Sequence, residues 1–342
     1  MVRCRVMFGE KAKKSVVVIG GGTGTHPILR GLKKYSDNIS ITAIITMADS
    51  GGSTGRLRDE FGQLPVGDVR MALTALASDV DENDQVLREL FLHRFDKGVG
   101  LNGHNFGNLF MVALTEILGS ETEAVKAASR ILRVKGKVLP VTEDHVHIVA
   151  TFDDGVIVEG EHEIDEPDEE RWPHTIAKLA TKPKGHITKE AQEAILGADL
   201  ILLGPGDLYA SLLANCVVEG VGKAICASKA KFVFALNLMT RPGQTHGMTA
   251  TDHSNEVAKY VGKMPDCVVI NTGDVPSRLL EKYAAEFQFP VADDSHLLSC
   301  TVIKEDLLSS EEVVKKKGDV LKRSLVRGDG DKFATLLMTL LP

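Results

Sequence analysis

Apolar residues in this chain come in short unbroken runs that end in turn-forming clusters, and the runs alternate with stretches of helical periodicity. Residues 15–19 (SVVVI) lead into GGGTG, and residues 39–47, rich in β-branched side chains, end just before Asp49. Between them Ile28, Leu29 and Leu32 recur at helical spacing. Strand, helix and strand in this order form a βαβ unit with a right-handed crossover. Unbroken apolar runs, as opposed to alternating ones, belong to parallel strands covered on both faces. Helical patterns dominate residues 68–118, interrupted at 98–107. Asp153-Asp154-Gly155 separates the runs 146–152 and 156–159, a hairpin signal. Residues 161–170 are acidic and contain a proline, and read as exposed loop, with a metal-binding cluster as the lesser alternative. The α/β rhythm resumes at 199–203 (DLILL), followed by GPGD and a helix through Val218. Strands at 232–238 and 267–271, a strand around Val302 and Ile303, and a final helix at 332–341 complete the pattern.

These elements predict an α/β fold: a Rossmann-like, doubly wound, mostly parallel sheet with helices on both faces and a small β excursion. Residues 1–14 read as a lead-in. Residues 15–342 form one domain, elaborated by the hairpin and acidic loop at about 142–190.

Composition narrows the function classes. The chain has 342 residues and a net charge of -7, which disfavours nucleic-acid polymers and acidic membranes as partners. Five scattered cysteines without a CxxC read as reduced thiols, so neither a disulfide framework nor a structural zinc site is indicated. With no signal-peptide core and no apolar run long enough to span a bilayer, the expected location is the cytoplasm. Exposed α/β faces leave room for a homo-oligomer.

The candidate chemistry lies at strand ends. Gly20-Gly21-Gly22-Thr23-Gly24 joins a strand to a helix, where backbone N–H groups can face an anion; the alternative is a purely structural turn. It does not match GxGxxG, since Thr25 or Pro27 falls at the third glycine, and no Walker Lys-Ser/Thr follows. Asp49-Ser50-Gly51-Gly52-Ser53-Thr54-Gly55-Arg56 follows the second strand, with Arg56 and Arg58 able to clamp phosphate. Asp68 and Arg70 read equally as site residues or as a helix cap and surface ion pair. His104, Asn105 and Asn108 gather before an apolar helix. His104 is either an acid–base group or an exposed neighbour of an Asn105 cap. Gly204, Gly206 and Asp207 follow DLILL, and Asp207 caps a helix, binds metal, or does both. Asn237, Thr240, Arg241 and Asn271 end two further strands. No G-x-S-x-G or H-E-x-x-H occurs, so acyl transfer and zinc hydrolysis are not indicated.

Six segments together carry a resemblance: GGGTGTHPILRGLKKY (20–35), ADSGGSTGRLRDEFGQLPVGDVR (48–70), GHNFGNL (103–109), KGKVLPVT (135–142), DLILLGPGDLYASLLAN (199–215) and NLMTRPGQTHG (237–247). The sequence resembles the family that joins 2-phospho-L-lactate transferase of coenzyme F420 biosynthesis to the bacterial gluconeogenesis-factor proteins, and it is more similar to the second branch. The resemblance implies a Rossmann-like sheet with Gly22, Thr23 and Gly24 at the ligand, Asp49 as the acid after the second strand, and Asn237 with Thr240 lining a nucleotide cleft. It also implies one of two activities. The first is a nucleotide-sugar-binding (UDP-sugar) regulator of central carbon metabolism and cell shape. The second is an Mg²⁺-dependent transferase moving a phospholactyl or phosphoenolpyruvyl group from a guanosine diphosphate-linked donor to a deazaflavin acceptor. Under the transferase reading Asp49 and Asp207 hold the metal, Arg56 steadies phosphate, and His104 is the acid or base. Three positions depart from the family pattern: Ser50 stands where a second Asp is usual, Asp207 replaces Ser, and Ala210 replaces Thr. A nicotinamide dehydrogenase ranks third because the dinucleotide fingerprint fails.

Overall fold

The computed structural model describes residues 12–310 and 325–342. Most of the lead-in, Cys4 and the charged stretch 311–324 therefore lie outside the described residues. Ten strands appear among the described residues: β1 (Lys14–Gly20), β2 (Ile39–Ile45), β3 (Lys137–Pro140), β4 (His147–Phe152), β5 (Ile157–Glu159), β6 (Ile176–Lys182), β7 (Leu200–Leu203), β8 (Lys231–Ala235), β9 (Cys267–Asn271) and β10 (Thr301–Glu305). Seven form one sheet in the order β10-β9-β8-β7-β1-β2-β3, with every neighbouring pair parallel. The expected Rossmann-like α/β fold is thus present. Val16–Ile19 and Leu200–Leu203 are fully buried at its centre, which explains their unbroken apolar runs.

The small β excursion is a separate antiparallel sheet, β5-β4-β6. Strands β3 and β6 are absent from the sequence reading. The four residues of β3 include an exposed lysine and a proline, too short a run to carry a period.

Six helices precede the excursion: α1 (Gly22–Lys33), α2 (Gly52–Phe61), α3 (Gly67–Leu76), α4 (Glu82–Leu92), α5 (Phe106–Leu118) and α6 (Glu121–Ile131). The glycine-bearing stretch after β2 becomes α2 from Gly52 onward. The C-terminal helix, Gly330–Leu340, crosses α1 in direct contact. A Cβ on Gly31 would run into the carbonyl of Gly330, and one on Gly330 into that of Pro27.

The acidic stretch is not merely exposed loop. It folds into a short helix, α7 (Glu161–Asp165), anchored by the fully buried Ile164. Cys216 and Cys267 are buried and Cys226 is exposed; all four cysteines among the described residues are free thiols.

Because all seven strands run the same way, their carboxyl ends share one edge. The order reverses between β1 and β7, and their helical connections diverge there. This switch point opens a crevice. Its walls are the turns after β1, β2, β7 and β8, the start of α3, and α7.

Candidate functional site

The two glycine turns at the switch point are packed against other parts of the chain. The carboxylate of Asp68 accepts the N–H of Gly22, the first residue of α1. A Cβ on Gly22 would collide with the backbone of Asp68, and one on Gly24 with Pro205. On Gly21 it would lie 2.9 Å from Asp68 Oδ2 and 3.0 Å from Ser211 Oγ. Thr23 is exposed. Glycine is therefore required here so that α1 can approach α3 and the turn after β7 closely. Gly204, at φ 92°, takes a left-handed conformation that glycine alone adopts without strain.

Five carboxylates border the crevice. Asp49 Oδ1 accepts from Gly51 N at 3.0 Å, and its carboxylate also takes a bond from the Thr54 hydroxyl. Gly67 must lack a side chain because Asp49 and Thr54 occupy that space. Glu161 accepts from Ser50 N at 3.4 Å, while Ser50 Oγ accepts from His162 N at 3.0 Å. Ser50 thus ties the start of α7 to the turn after β2.

Burial raises the pKa of Asp49, although its hydrogen bonds and Arg70 pull the other way. Burial and the field of Asp49 push Asp68 up to about 7. Burial, with Asp49, Asp165 and Asp68 adding to it, lifts Glu161 well above the usual range.

Asp165 and Asp207 share Arg241. The guanidinium lies 2.7 Å from Asp165 Oδ1 and, through Nε, 2.8 Å from Asp207 Oδ1. Burial raises the Asp207 pKa, Asp165 raises it further, and Arg241 opposes both. Burial disfavours the Arg241 cation, but the two carboxylates outweigh it and its pKa rises. Asp207, expected as a helix cap, a metal ligand or both, pairs with Arg241, and its side chain makes no cap hydrogen bond.

Cationic groups come from α1 (Arg30), α3 (Arg70), α4 (Arg88) and the segment before the C-terminal helix (Arg327). Burial and then the fields of Arg88, Arg30, Arg327 and Arg70 press the His26 pKa down to about 3, so this side chain is neutral at physiological pH. Arg70 donates through Nε to Asn108 Oδ1 at 2.7 Å and through Nη1 to the Phe91 carbonyl at 3.2 Å. It acts on Asp49, Asp68 and His26 alike. Arg58 donates to the Val146 carbonyl at 2.8 Å, and Arg56 to the Asn102 carbonyl at 3.3 Å.

A buried network extends from this bank. Ser53 Oγ and His104 Nδ1 lie 3.2 Å apart, and Ser53 Oγ also accepts from Asn105 N at 3.3 Å and Asn108 Nδ2 at 3.4 Å. Asn105 caps α5 by accepting from Asn108 N. His104 is buried, not an exposed neighbour of the cap. Burial, reinforced by Arg56, lowers its pKa and favours the neutral ring.

Past β8, Asn237 Nδ2 donates to the Gly206 carbonyl at 2.7 Å. Its Oδ1 is buried without a partner, as are Gln244 Oε1 and His246 Nδ1 in the same loop. Thr240 Oγ1 accepts from Phe289 N at 3.0 Å, fastening a neighbouring segment. Asn271 Oδ1 accepts from Gly273 N and Leu307 N, both at 3.0 Å, and closes the loop beyond β9. The fold therefore gathers Gly21, Gly22, Asp49, Asp68, Gly204, Gly206, Asp207, Asn237 and Arg241 around the crevice, whereas Asn271 serves a loop of its own. Sequence reasoning missed His26, Glu161 and Asp165. The isoleucine inside the acidic stretch was the available signal, since a solvated loop has no use for one.

Elsewhere, Asp153, Asp154 and His174 bring ligand atoms within 4.8 Å of one another, a group that could hold a metal ion. Arg171 already pairs with Asp154 at 2.6 Å.

This geometry stands beside clear likenesses to known proteins. Residues 16–308 match the family model described as 2-phospho-L-lactate transferase CofD. The gluconeogenesis factor of Bacillus subtilis is 38% identical over 336 residues, covering 98% of this chain and 99% of its own. The chain belongs to the CofD and gluconeogenesis-factor family. Within it, it stands nearer the gluconeogenesis-factor branch, as a second gluconeogenesis factor also indicates: that of Halalkalibacterium halodurans is 38% identical over 92% of this chain and 97% of its own. A crystal structure of a UPF0052 family member from Bacillus halodurans aligns with a TM-score of 0.85 at 36% identity, over 96% of this chain and all of that one. Two of the positions expected to depart from the family pattern have local partners: the Ser50 N–H donates to Glu161 of α7, and Asp207 pairs with Arg241.

Proposed function

We propose that this chain is a gluconeogenesis factor: a cytoplasmic regulator of central carbon metabolism and cell shape that binds a UDP-linked sugar in the crevice at the switch point. The observation that carries this reading is the cluster of interacting charges at the carboxyl edge of the sheet, where Asp49, Asp68 and Glu161 act on one another, Arg70 acts on Asp49 and Asp68, and Arg241 joins Asp165 to Asp207. A nucleotide sugar has matching chemistry, with a diphosphate for guanidinium groups and sugar hydroxyls that donate to carboxylates. Three buried polar atoms, Asn237 Oδ1, Gln244 Oε1 and His246 Nδ1, lack partners, and a polar ligand would supply them. Among the described residues no helix is long and apolar enough to cross a membrane, in keeping with a metabolite-binding role.

The second reading is an Mg²⁺-dependent phospholactyl or phosphoenolpyruvyl transferase. It is favoured by the raised carboxylates, which as hard oxygen donors fit Mg²⁺. Asp49, Asp68 or Glu161 would hold the ion together with ligand phosphates, and the ion would neutralise phosphate charge during transfer. Arg70 would orient the carboxylates, and the neutral His104 would hold a proton beside Ser53.

Isothermal titration with UDP-N-acetylglucosamine and with GDP, each with and without Mg²⁺, separates the two. Metal-independent preference for the UDP-sugar is the expected result. Mg²⁺-dependent preference for GDP would transfer the assignment to the second reading, and binding of neither would sink both.

A further inference from the structure

Helix α7 reaches from one wall of the crevice to another. Glu161, Ile164 and Asp165 stand at i, i+3 and i+4 and so share a face, while His162 and Glu163 are exposed on the outer side. Ile164 is the one buried side chain of the helix. At one end Glu161 meets Ser50 in the turn after β2, and at the other Asp165 meets Arg241 in the turn after β8. In the sheet β2 and β8 flank β1 and β7, so these two anchors stand on either side of the switch point. Three strand spacings separate them, about 14 Å, which a helix of five residues and two acidic side chains can cover. Gly160, at φ 113°, precedes the helix and Pro167 follows it. Outside these bounds the chain is fixed again, with Gly160 N donating to the Ile148 carbonyl at 2.9 Å and Gly243 N to the Trp172 carbonyl at 3.1 Å.

We propose that α7 is a strap across the mouth of the crevice, latched by the bond between Asp165 and Arg241 and released when an anionic group of a ligand takes Arg241. The inference rests on the reading of the crevice as a site for a diphosphate-bearing ligand. Asp165 reaches the guanidinium through one nitrogen, Nη2, at 2.7 Å. A phosphate holds such a group through two parallel N–H bonds, and so competes well for it. The two anions exclude each other. Asp165 and Asp207 already set two carboxylates against one guanidinium, so a phosphate enters only as Asp165 leaves, and Asp165 leaves with α7. The latched state also leaves a polar group unmet: Gln244 Nε2 donates to Asp165 at 3.4 Å, while its Oε1 is buried without a partner. A segment with a single buried apolar anchor opens at low cost, as a strap must.

Hydrogen–deuterium exchange on the full chain tests this, because the amides of His162, Ile164 and Glu166 are hydrogen-bonded while the strap is shut. Asp165→Asn keeps the shape of the side chain and removes its charge. Without ligand, these three amides are expected to exchange on the order of 10-fold faster in the variant, with β1 and β7 unchanged. Glu163→Gln removes the same charge from the outer face and is expected to exchange like wild type. In the wild-type chain, inorganic pyrophosphate at ~10 mM should speed the same three amides. Exchange that Asp165→Asn leaves unchanged, or that pyrophosphate slows or does not alter, would overturn the proposal. Release by pyrophosphate in a chain that binds no UDP-N-acetylglucosamine would support the strap and remove the UDP-sugar reading.

Discussion

The acidic and basic banks beside α1 respond to burial in opposite directions and reach the same result. On one bank, burial and neighbouring carboxylates bring Asp68 to about 7, so a good part of it carries a proton at neutral pH. On the other, burial and four arginines bring His26 to about 3, so it carries none. Each bank thus favours the uncharged form of its most crowded member. Arg241, by contrast, is held between Asp165 and Asp207 with its charge matched. The difference teaches how buried charge is used: a matched pair builds structure, while a group that burial neutralises can change its protonation when its surroundings change.

Breaking the matched group should cost most. Arg241→Leu would leave two half-buried carboxylates facing each other, and we expect a loss of about 3 kcal/mol at pH 7, read by urea unfolding. A change under 1 kcal/mol would mean that the pair is solvated and the contrast false.

The unmatched groups make opposite contributions to the pH dependence of stability. For His26 the folded pKa lies below the unfolded value of 6.5, so the unfolded chain takes up the proton first. Its contribution is complete above pH 6.5 and is lost as the pH falls toward 3. His26→Asn should remove that acid sensitivity and gain about 2 kcal/mol over wild type at pH 4, relative to pH 7. Asp68 has a raised folded pKa, so its contribution is complete below about pH 4 and lost as the pH rises through 7. Asp68→Asn should accordingly be more stable than wild type at pH 8 by on the order of 1 kcal/mol, and less dependent on pH between 4 and 8. Parallel stability profiles for variant and wild type would remove Asp68 from the acidic bank.

Most of the sheet was legible in the sequence because a buried parallel strand needs an unbroken apolar run, as in SVVVI and DLILL. The edge strand β3 was not, since an edge tolerates Lys137 and Pro140. The site was legible where the chain signals a strand end, at Asp49, Gly204 or Asn237. It was illegible where a side chain arrives from a distant segment. Glu161 lies more than a hundred residues from Ser50, which it contacts, and Asp165 is likewise remote from Arg241. His26 shows little locally, because its pKa is lowered first by burial and, apart from Arg30 on the same helix, by arginines from distant segments. Asn271 misled for a related reason: a strand-end Asn serves equally well to close its own loop.

The pairing of β1 with β7 also bears on biogenesis. Val16 finds its partner at Leu200, so during synthesis one edge of the central strand must wait for most of the chain. At typical ribosomal rates that wait is roughly ten to forty seconds. Throughout it, a strand whose Val16–Ile19 segment is fully buried in the finished fold has a bare backbone edge, a template for pairing with the wrong chain. The crevice is thus completed late, and a nascent chain released before β7 has emerged would be a natural client for a chaperone.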